Sequence, residues 1–162
     1  KKIKSQIGDS NEFTVSLVTI IEQPSEERVF PDEGLVPGRF PGKYIDIDLT
    51  QQKLCLINGS NTEKCFTVST GKWSTPTPTG TRIIESKNGR QWSGKYGLWM
   101  PWWQSIGGDY GIHELPEWPS GYKEGEAHLG TPVSHGCIRL GVGSAQEVYN
   151  WTDIGTPVYI HK

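Results

Sequence analysis

The chain has 162 residues, 34% of them hydrophobic, with 20 glycines, 11 prolines and 7 tryptophans, a mixture that suits a loop-rich β protein better than a helical bundle. A formal charge of −2, from 16 basic and 18 acidic residues with no basic run or basic–aromatic stripe, argues against nucleic acid as a partner. The longest apolar stretch is too short to cross a membrane.

Residues 1–12 are polar and expected to be loose. No secretion signal precedes the opening Lys1-Lys2, so the chain reads as a fragment or a processed form. Residues 13–21, rich in β-branched side chains, predict a strand, and residues 22–42, dense in proline, glycine and charge, predict a linker. Residues 1–42 are therefore expected to be the remnant of a preceding domain plus its linker, with the main domain at 43–162.

From Tyr44 the β pattern sharpens. Tyr44-Ile45-Asp46-Ile47-Asp48-Leu49 alternates polar with apolar, and residues 53–57 and 64–69 flank an Asn58-Gly59 turn signal as a hairpin. If that loop centres on Ser60, Cys55 and Cys65 face each other. Either a cross-strand disulfide or two small apolar side chains in a sheet then fits. Residues 70–80 (TGKWSTPTPTG) predict a turn-rich loop, and residues 81–85 a short strand. Residues 86–110 hold Trp92, Tyr96, Trp99, Trp102 and Trp103 at a spacing that fits neither helix nor strand, and predict loop with short pieces of strand. Ser144 and Glu147 have the spacing of a capping box at the start of a helix whose apolar side is Val148, Tyr149 and Trp151 and which Gly155 stops. Residues 157–161 predict a final strand.

Chemistry concentrates in Ser134-His135-Gly136-Cys137-Ile138-Arg139-Leu140. Cys137 is the thiol without an obvious structural mate, and a thiol reacts as thiolate, so it needs a base such as imidazole to take its proton. Glycine before the cysteine opens the backbone to a substrate carbonyl, and the N–H groups there suit a developing oxyanion. Among the four histidines, His135 is two residues from Cys137, roughly 6–7 Å away along extended backbone, too far for a direct hydrogen bond without a bend. His113 ends a strand-like segment that a neighbouring strand could bring closer. His128 sits in a glycine-rich loop, and His161 is next to the C-terminal residue. A zinc hydrolase built on His128, His135 and Cys137 is a different reading, but H-E-x-x-H and paired C-x-x-C spacings are absent. A non-catalytic binding module is a third, opposed by an intact thiol, base candidate and glycine loop.

The Ser134–Leu140 segment resembles the signature of the L,D-transpeptidase (YkuD) catalytic domain. Further segments are similar to that family in the same order: residues 44–49 with Gln52-Lys53-Leu54, then Val68-Ser69-Thr70-Gly71-Lys72 and Thr77-Pro78-Thr79-Gly80-Thr81, then Gly111-Ile112-His113, then Gly155-Thr156-Pro157-Val158-Tyr159-Ile160. The resemblance spans residues 44–162. It implies a mostly β, sandwich-like domain with one short helix after the cysteine motif. Activity would be that of a cysteine acyltransferase without a cofactor or metal, acting on peptidoglycan stem peptides and building 3→3 cross-links in cell-wall biogenesis, or hydrolysing as an L,D-carboxypeptidase.

The same resemblance implies Cys137 as nucleophile and His113 as general base oriented by a backbone carbonyl, with Gly136 and Cys137 supplying oxyanion N–H groups. Ser134 and His135 would shape the loop, and Arg139 would brace the site or attract a carboxylate. β-Lactams, carbapenems above all, would acylate Cys137, and the location would be the bacterial cell envelope outside the cytoplasmic membrane, where a Cys55–Cys65 disulfide is at home. Trp99, Trp103 and Tyr110 are the aromatic candidates for a substrate cleft. Residues 115–126 (LPEWPSGYKEGE) stand out from the family pattern as an insertion.

Overall fold

The computed structural model describes residues 38–162, so the strand expected at 13–21 and most of the expected linker lie outside the described residues. Nine strands form one sheet: β1 (Lys43–Asp48), β2 (Lys53–Asn58), β3 (Asn61–Ser69), β4 (Gly80–Ile83), β5 (Ser86–Ser93), β6 (Leu98–Ser105), β7 (Gly111–Glu114), β8 (Ile138–Leu140) and β9 (Pro157–His161). Their order is β4-β9-β1-β2-β3-β8-β7-β6-β5. Two neighbouring pairs, β1–β9 and β7–β8, are parallel, and the others are antiparallel.

The sheet curls onto itself. Its two edge strands, β4 and β5, are joined in the chain by Ile84 and Glu85 alone. At roughly 4.8 Å between strands, two residues could not link the opposite edges of a flat nine-stranded sheet. Ile45 and Ile47 of β1, Ile112 of β7, Ile138 of β8 and Ile160 of β9 belong to one buried cluster. The fold is thus mostly β and sandwich-like, as expected. The one α-helix among the described residues, α1 (Ser144–Trp151), joins the same cluster through Ala145 and Val148. Phe40, on the linker side of the boundary expected at 43, is buried against Tyr44 in a second, smaller cluster.

Cys55 and Cys65 are direct cross-strand partners of β2 and β3 and form a disulfide. The turn is Gly59-Ser60, with Asn58 opposite Asn61, and a bulge after Leu56 restores the register that brings the two cysteines together. Two helix expectations fail. Gly143, at a φ of 83°, is the N-cap, and the Ser144 hydroxyl makes no capping bond. Glu147 turns instead to Lys64 on β3, 2.6 Å away. The helix ends at Trp151, before Gly155, where Thr152 goes extended and its hydroxyl donates to the Val148 carbonyl at 3.2 Å.

The segment expected to be mostly loop, residues 86–110, is the long β5–β6 hairpin followed by β7. Its pattern was unreadable for a physical reason. Trp102 sits in the left-handed region at a φ of 55°, so the alternation of faces along β6 changes phase there. Leu98 and Met100 face the cleft before it, and Trp103 and Ser105 face the cleft after it. β5, meanwhile, is mostly exposed and carries no apolar alternation to read.

Candidate active site

The parallel pairing of β7 with β8 sets the site. Its register places Ile112 opposite Ile138 and His113 opposite Arg139. Cys137 immediately precedes β8, two positions from Arg139, so extended backbone turns its side chain to the face that carries His113 and Arg139. Both His113 and Cys137 line the same cavity.

The loop before Cys137 is held tightly. Ser134 N–H donates to the Thr70 carbonyl at 2.9 Å, and the Ser134 carbonyl accepts from Lys72 N–H at 3.0 Å. The Thr75 hydroxyl donates to that same carbonyl at 3.1 Å, and the Thr77 hydroxyl donates to the Gly136 carbonyl at 2.8 Å. The Ser134 hydroxyl, fully buried, donates to the Cys137 carbonyl at 2.6 Å and accepts from Gly136 N–H at 3.1 Å. Glycine is required at 136: its φ is 114°, and a Cβ there would stand 2.5 Å from the Tyr110 ring. These bonds also change one expectation. The Gly136 N–H is committed to Ser134, so it is not a free oxyanion donor. No turn or loop hydrogen bond among the described residues engages the Cys137 N–H.

His113 is buried, with Nδ1 2.5 Å from the Glu114 carbonyl oxygen. That bond makes Nδ1 the protonated nitrogen and leaves the Nε2 lone pair to act as base. Burial pushes the His113 pKa from 6.5 down to about 3, partly opposed by the Glu114 carbonyl and aided by the Arg139 charge. Burial raises the Cys137 thiol above its ordinary value, against the backbone of Gly111 and the charge of Arg139, which pull it down. The thiol is half-buried and donates to the Asp109 carbonyl at 3.7 Å. Both shifts act in one direction, so the resting pair is neutral thiol and neutral imidazole rather than thiolate and imidazolium.

Cys137 lies where two lobes of a cleft meet. The smaller, about 190 Å³, is lined by Leu98, His113, Pro116, Trp118, Glu124 and Arg139; the larger, about 620 Å³, by residues including Ser86, Asn88, Trp103 and Tyr110. Tyr96, Met100, His135 and Cys137 border both. His135 is exposed and stacks on Tyr96, with ring centroids 4.8 Å apart, so it supports the hairpin tip that overhangs the nucleophile. Its pKa is lowered by partial burial and by the charges of Lys72, Arg139 and Lys95. Trp103 packs over Gly111 and lies 5.8 Å from the His113 ring.

Of the three aromatic candidates, Trp103 and Tyr110 line the cleft and Trp99 does not. Trp99 packs edge-on to Trp92 at 4.9 Å and beneath the Arg90 guanidinium at 4.4 Å. Its backbone pairs with Glu117. Before the phase change at Trp102 the odd positions of β6 point away from the cleft. That phase change hid Leu98 and Met100 as cleft residues, while Tyr96 lies on the turn between β5 and β6, and Pro116, Trp118 and Glu124 lie on the insertion. The insertion is fastened by Lys123, which pairs with the buried Glu114 carboxylate and with Glu117. A charged residue nine positions after a buried acid was the available signal. His128 does not line the cleft, so the His128–His135–Cys137 grouping of the zinc reading is not brought together.

Residues 42–160 match the family described as the L,D-transpeptidase catalytic domain (YkuD). The chain belongs to that family. YciB of Bacillus subtilis (strain 168), whose name provisionally makes it an L,D-transpeptidase, is 32% identical over an alignment of 117 residues that covers 65% of this chain and 59% of YciB. This L,D-transpeptidase domain therefore spans about three-fifths of that relative. Its fold is similar to the L,D-transpeptidase (Yku) crystal structure from Stackebrandtia nassauensis, with a TM-score of 0.66 and 27% identity, covering 78% of this chain and 58% of that one. It is also similar to the Ldtfm–avibactam carbamoyl enzyme, with a TM-score of 0.61 and 26% identity, covering 76% and 50%. L,D-transpeptidase 3 from Mycobacterium tuberculosis, solved with a faropenem-derived adduct, shares the fold at a TM-score of 0.63 and 23% identity, covering 75% and 61%.

Proposed function

We propose that this domain is a peptidoglycan L,D-transpeptidase that uses Cys137 to move an acyl group from one stem peptide to another. The observation that carries the proposal is the position of Cys137 at the junction of two lobes, in one cavity with His113, whose Nδ1 is held by the Glu114 carbonyl so that Nε2 is left to accept a proton. Two lobes suit two substrates, and membership of the family supports the choice of stem peptides.

The donor's third-residue carbonyl is attacked by the Cys137 sulfur while His113 Nε2 takes the thiol proton. A neutral pair at rest means that proton transfer accompanies attack. The oxyanion is met by the Cys137 N–H. Collapse breaks the C–N bond, His113 returns the proton to the departing D-alanine amine, and a thioester remains. An amine of a second stem then attacks the thioester. Its proton passes through His113 to the sulfur as the C–S bond breaks, leaving a 3→3 cross-link. Ser134 holds the loop in place, and Gly136 keeps Tyr110 close to it. β-Lactams, carbapenems included, acylate Cys137 in the same way, with ring opening in place of alanine loss. The adducts named for two of the similar structures support this reading. The Cys55–Cys65 disulfide supports a location in the cell envelope, outside the cytoplasmic membrane.

Incubating a disaccharide-tetrapeptide with this protein and with Cys137→Ala, followed by mass spectrometry, tests the proposal. Transpeptidation gives a dimer lighter than two monomers by one molecule of alanine, absent with the variant. Tripeptide plus free alanine would instead make the enzyme an L,D-carboxypeptidase, and no product with either protein would contradict the acyl-transfer reading.

A further inference from the structure

The β5–β6 hairpin lies between the segments that carry the family resemblance, and it walls the larger lobe. At about 620 Å³ that lobe falls within the roughly 300–1,000 Å³ of small-molecule sites. Trp103 lies flat over Gly111, with three ring atoms 2.3, 2.5 and 2.6 Å from where a Cβ would stand, and its half-exposed other side borders the lobe. Asn88 is directly across the hairpin from Trp103, and Ser86 directly across from Ser105, and all four line the lobe. The Asn88 amide donates to the Gln91 side chain at 3.0 Å, which orients it and leaves its carbonyl oxygen to accept. Charge is turned away from this wall. Lys87 donates to the Tyr149 and Thr152 carbonyls at 2.6 Å, and Arg90 pairs with Glu117. Among the described residues, Lys95 is the one lysine or arginine that lines the lobe, and it sits at the hairpin turn over the Tyr96 ring. The carboxylates of a stem peptide would find little to pair with here. An indole face beside a neutral amide and two hydroxyls matches a pyranose instead. Such a ring offers C–H groups to the electron-rich face of the indole, and hydroxyl and acetamido groups at its rim.

We propose that the larger lobe binds an N-acetylated amino sugar of the glycan strand, its ring stacked on Trp103 and its acetamido and hydroxyl groups hydrogen-bonded to Asn88, Ser86 and Ser105. The inference rests on the acyl-transfer reading and deepens it, since the enzyme then holds its substrate by the sugar as well as by the stem. Three stem residues separate the sugar from the reacting carbonyl, a reach of about 10 Å when extended. Trp103 and Cys137 border the same lobe, so one substrate can engage both. Donor and acceptor strands carry the same sugars, and the lobe recognises that shared chemistry.

The test is equilibrium binding to the Cys137→Ala protein, which cannot acylate. The probes are diacetylchitobiose, cellobiose, and a tetrapeptide stem with and without its disaccharide. Diacetylchitobiose is expected to shift the indole N–H resonance of Trp103, and cellobiose, which lacks the acetamido group, to shift it less at the same concentration. The disaccharide should tighten binding of the stem about tenfold, the worth of one stacking contact and one hydrogen bond. Asn88→Ala should cut that advantage to about threefold, and Trp103→Leu should abolish it. If Trp103→Leu fails to melt like the parent, the Asn88→Ala comparison decides alone. In the parent enzyme, a disaccharide that lowers KM for the tetrapeptide belongs to the donor, and one that lowers KM for an added tripeptide stem, which has no D-alanine to lose, belongs to the acceptor. Equal affinity for bare and sugar-bearing stems, an advantage undiminished by Asn88→Ala, or shifts at other indoles and not at Trp103 would overturn the proposal. Failure of every probe to bind would overturn it too, while the acyl-transfer reading keeps its own product assay.

Discussion

At the residue scale, the reactivity of Cys137 is set by burial that disfavours charge on both members of the pair. The thiol is pushed up and the imidazole down, so between about pH 3 and the thiol's own titration the free enzyme holds its reactive proton on sulfur. Activity that needs neutral imidazole is lost only as pH falls toward 3, not through 6.5. Carbapenem acylation is therefore expected to stay flat from about pH 5 to about pH 8, while alkylation by iodoacetamide, which receives no help from His113, rises only in the alkaline range. Stopped-flow acylation and mass-detected alkylation check this pair of profiles; acylation falling through a pKa near 6.5 would contradict it. Gly136 makes a second residue-scale case. Gly136→Ala forces a side chain into a φ of 114° and against the Tyr110 ring. The nucleophile must shift, and a displacement near 1 Å is expected to lower the acylation rate about 100-fold while the protein remains folded.

At the element scale, two fastenings hold the walls of the site. Lys123 neutralises the buried Glu114, whose backbone carbonyl orients the base and whose carboxylate also accepts from Gly143 N–H at 3.2 Å ahead of α1. Lys123→Met leaves that carboxylate unpaired. We expect a loss of about 2 kcal/mol, discounted from a fully buried pair because Lys123 is partly exposed, and early proteolysis within 115–126; unchanged melting and cleavage would contradict it. The Cys55–Cys65 bridge closes a loop of sequence separation 10, so its removal by Cys55→Ala/Cys65→Ala should cost about 2–3 kcal/mol in denaturant unfolding without changing the acylation rate.

These elements also separate what the sequence discloses from what it hides. Alternation in β1 to β3 and β9 follows directly from burial of one face, and the cysteine pairing follows from hairpin register. The β5–β6 hairpin is hidden because one left-handed tryptophan shifts the phase of β6, and the same shift made Trp99 look like a cleft residue. The helix start is visible in the sequence, but Glu147 has a stronger partner in Lys64 than in the backbone, so the capping box does not form. Cys137 and His113 were legible as motif members. The commitment of the Gly136 N–H to Ser134, and the arrival of Glu124 from an insertion, depend on tertiary contacts that no local pattern encodes.

On the scale of the whole molecule, one curled sheet brings residues far apart in the chain to a single point. β8 and β7, sixth and seventh of its nine strands, pair in parallel, the β5–β6 hairpin overhangs them, and residues 70–77 brace the cysteine loop from the other side. The nucleophile thereby sits at the meeting of two lobes with its base already oriented. The most direct test of that account is intact-protein mass spectrometry after incubation with a carbapenem, followed by peptide mapping. The parent protein is expected to gain the mass of one inhibitor at Cys137, Cys137→Ala to gain nothing, and His113→Gln to gain it at least about 100-fold more slowly. An adduct on any other residue, or equal labelling of parent and Cys137→Ala, would contradict it.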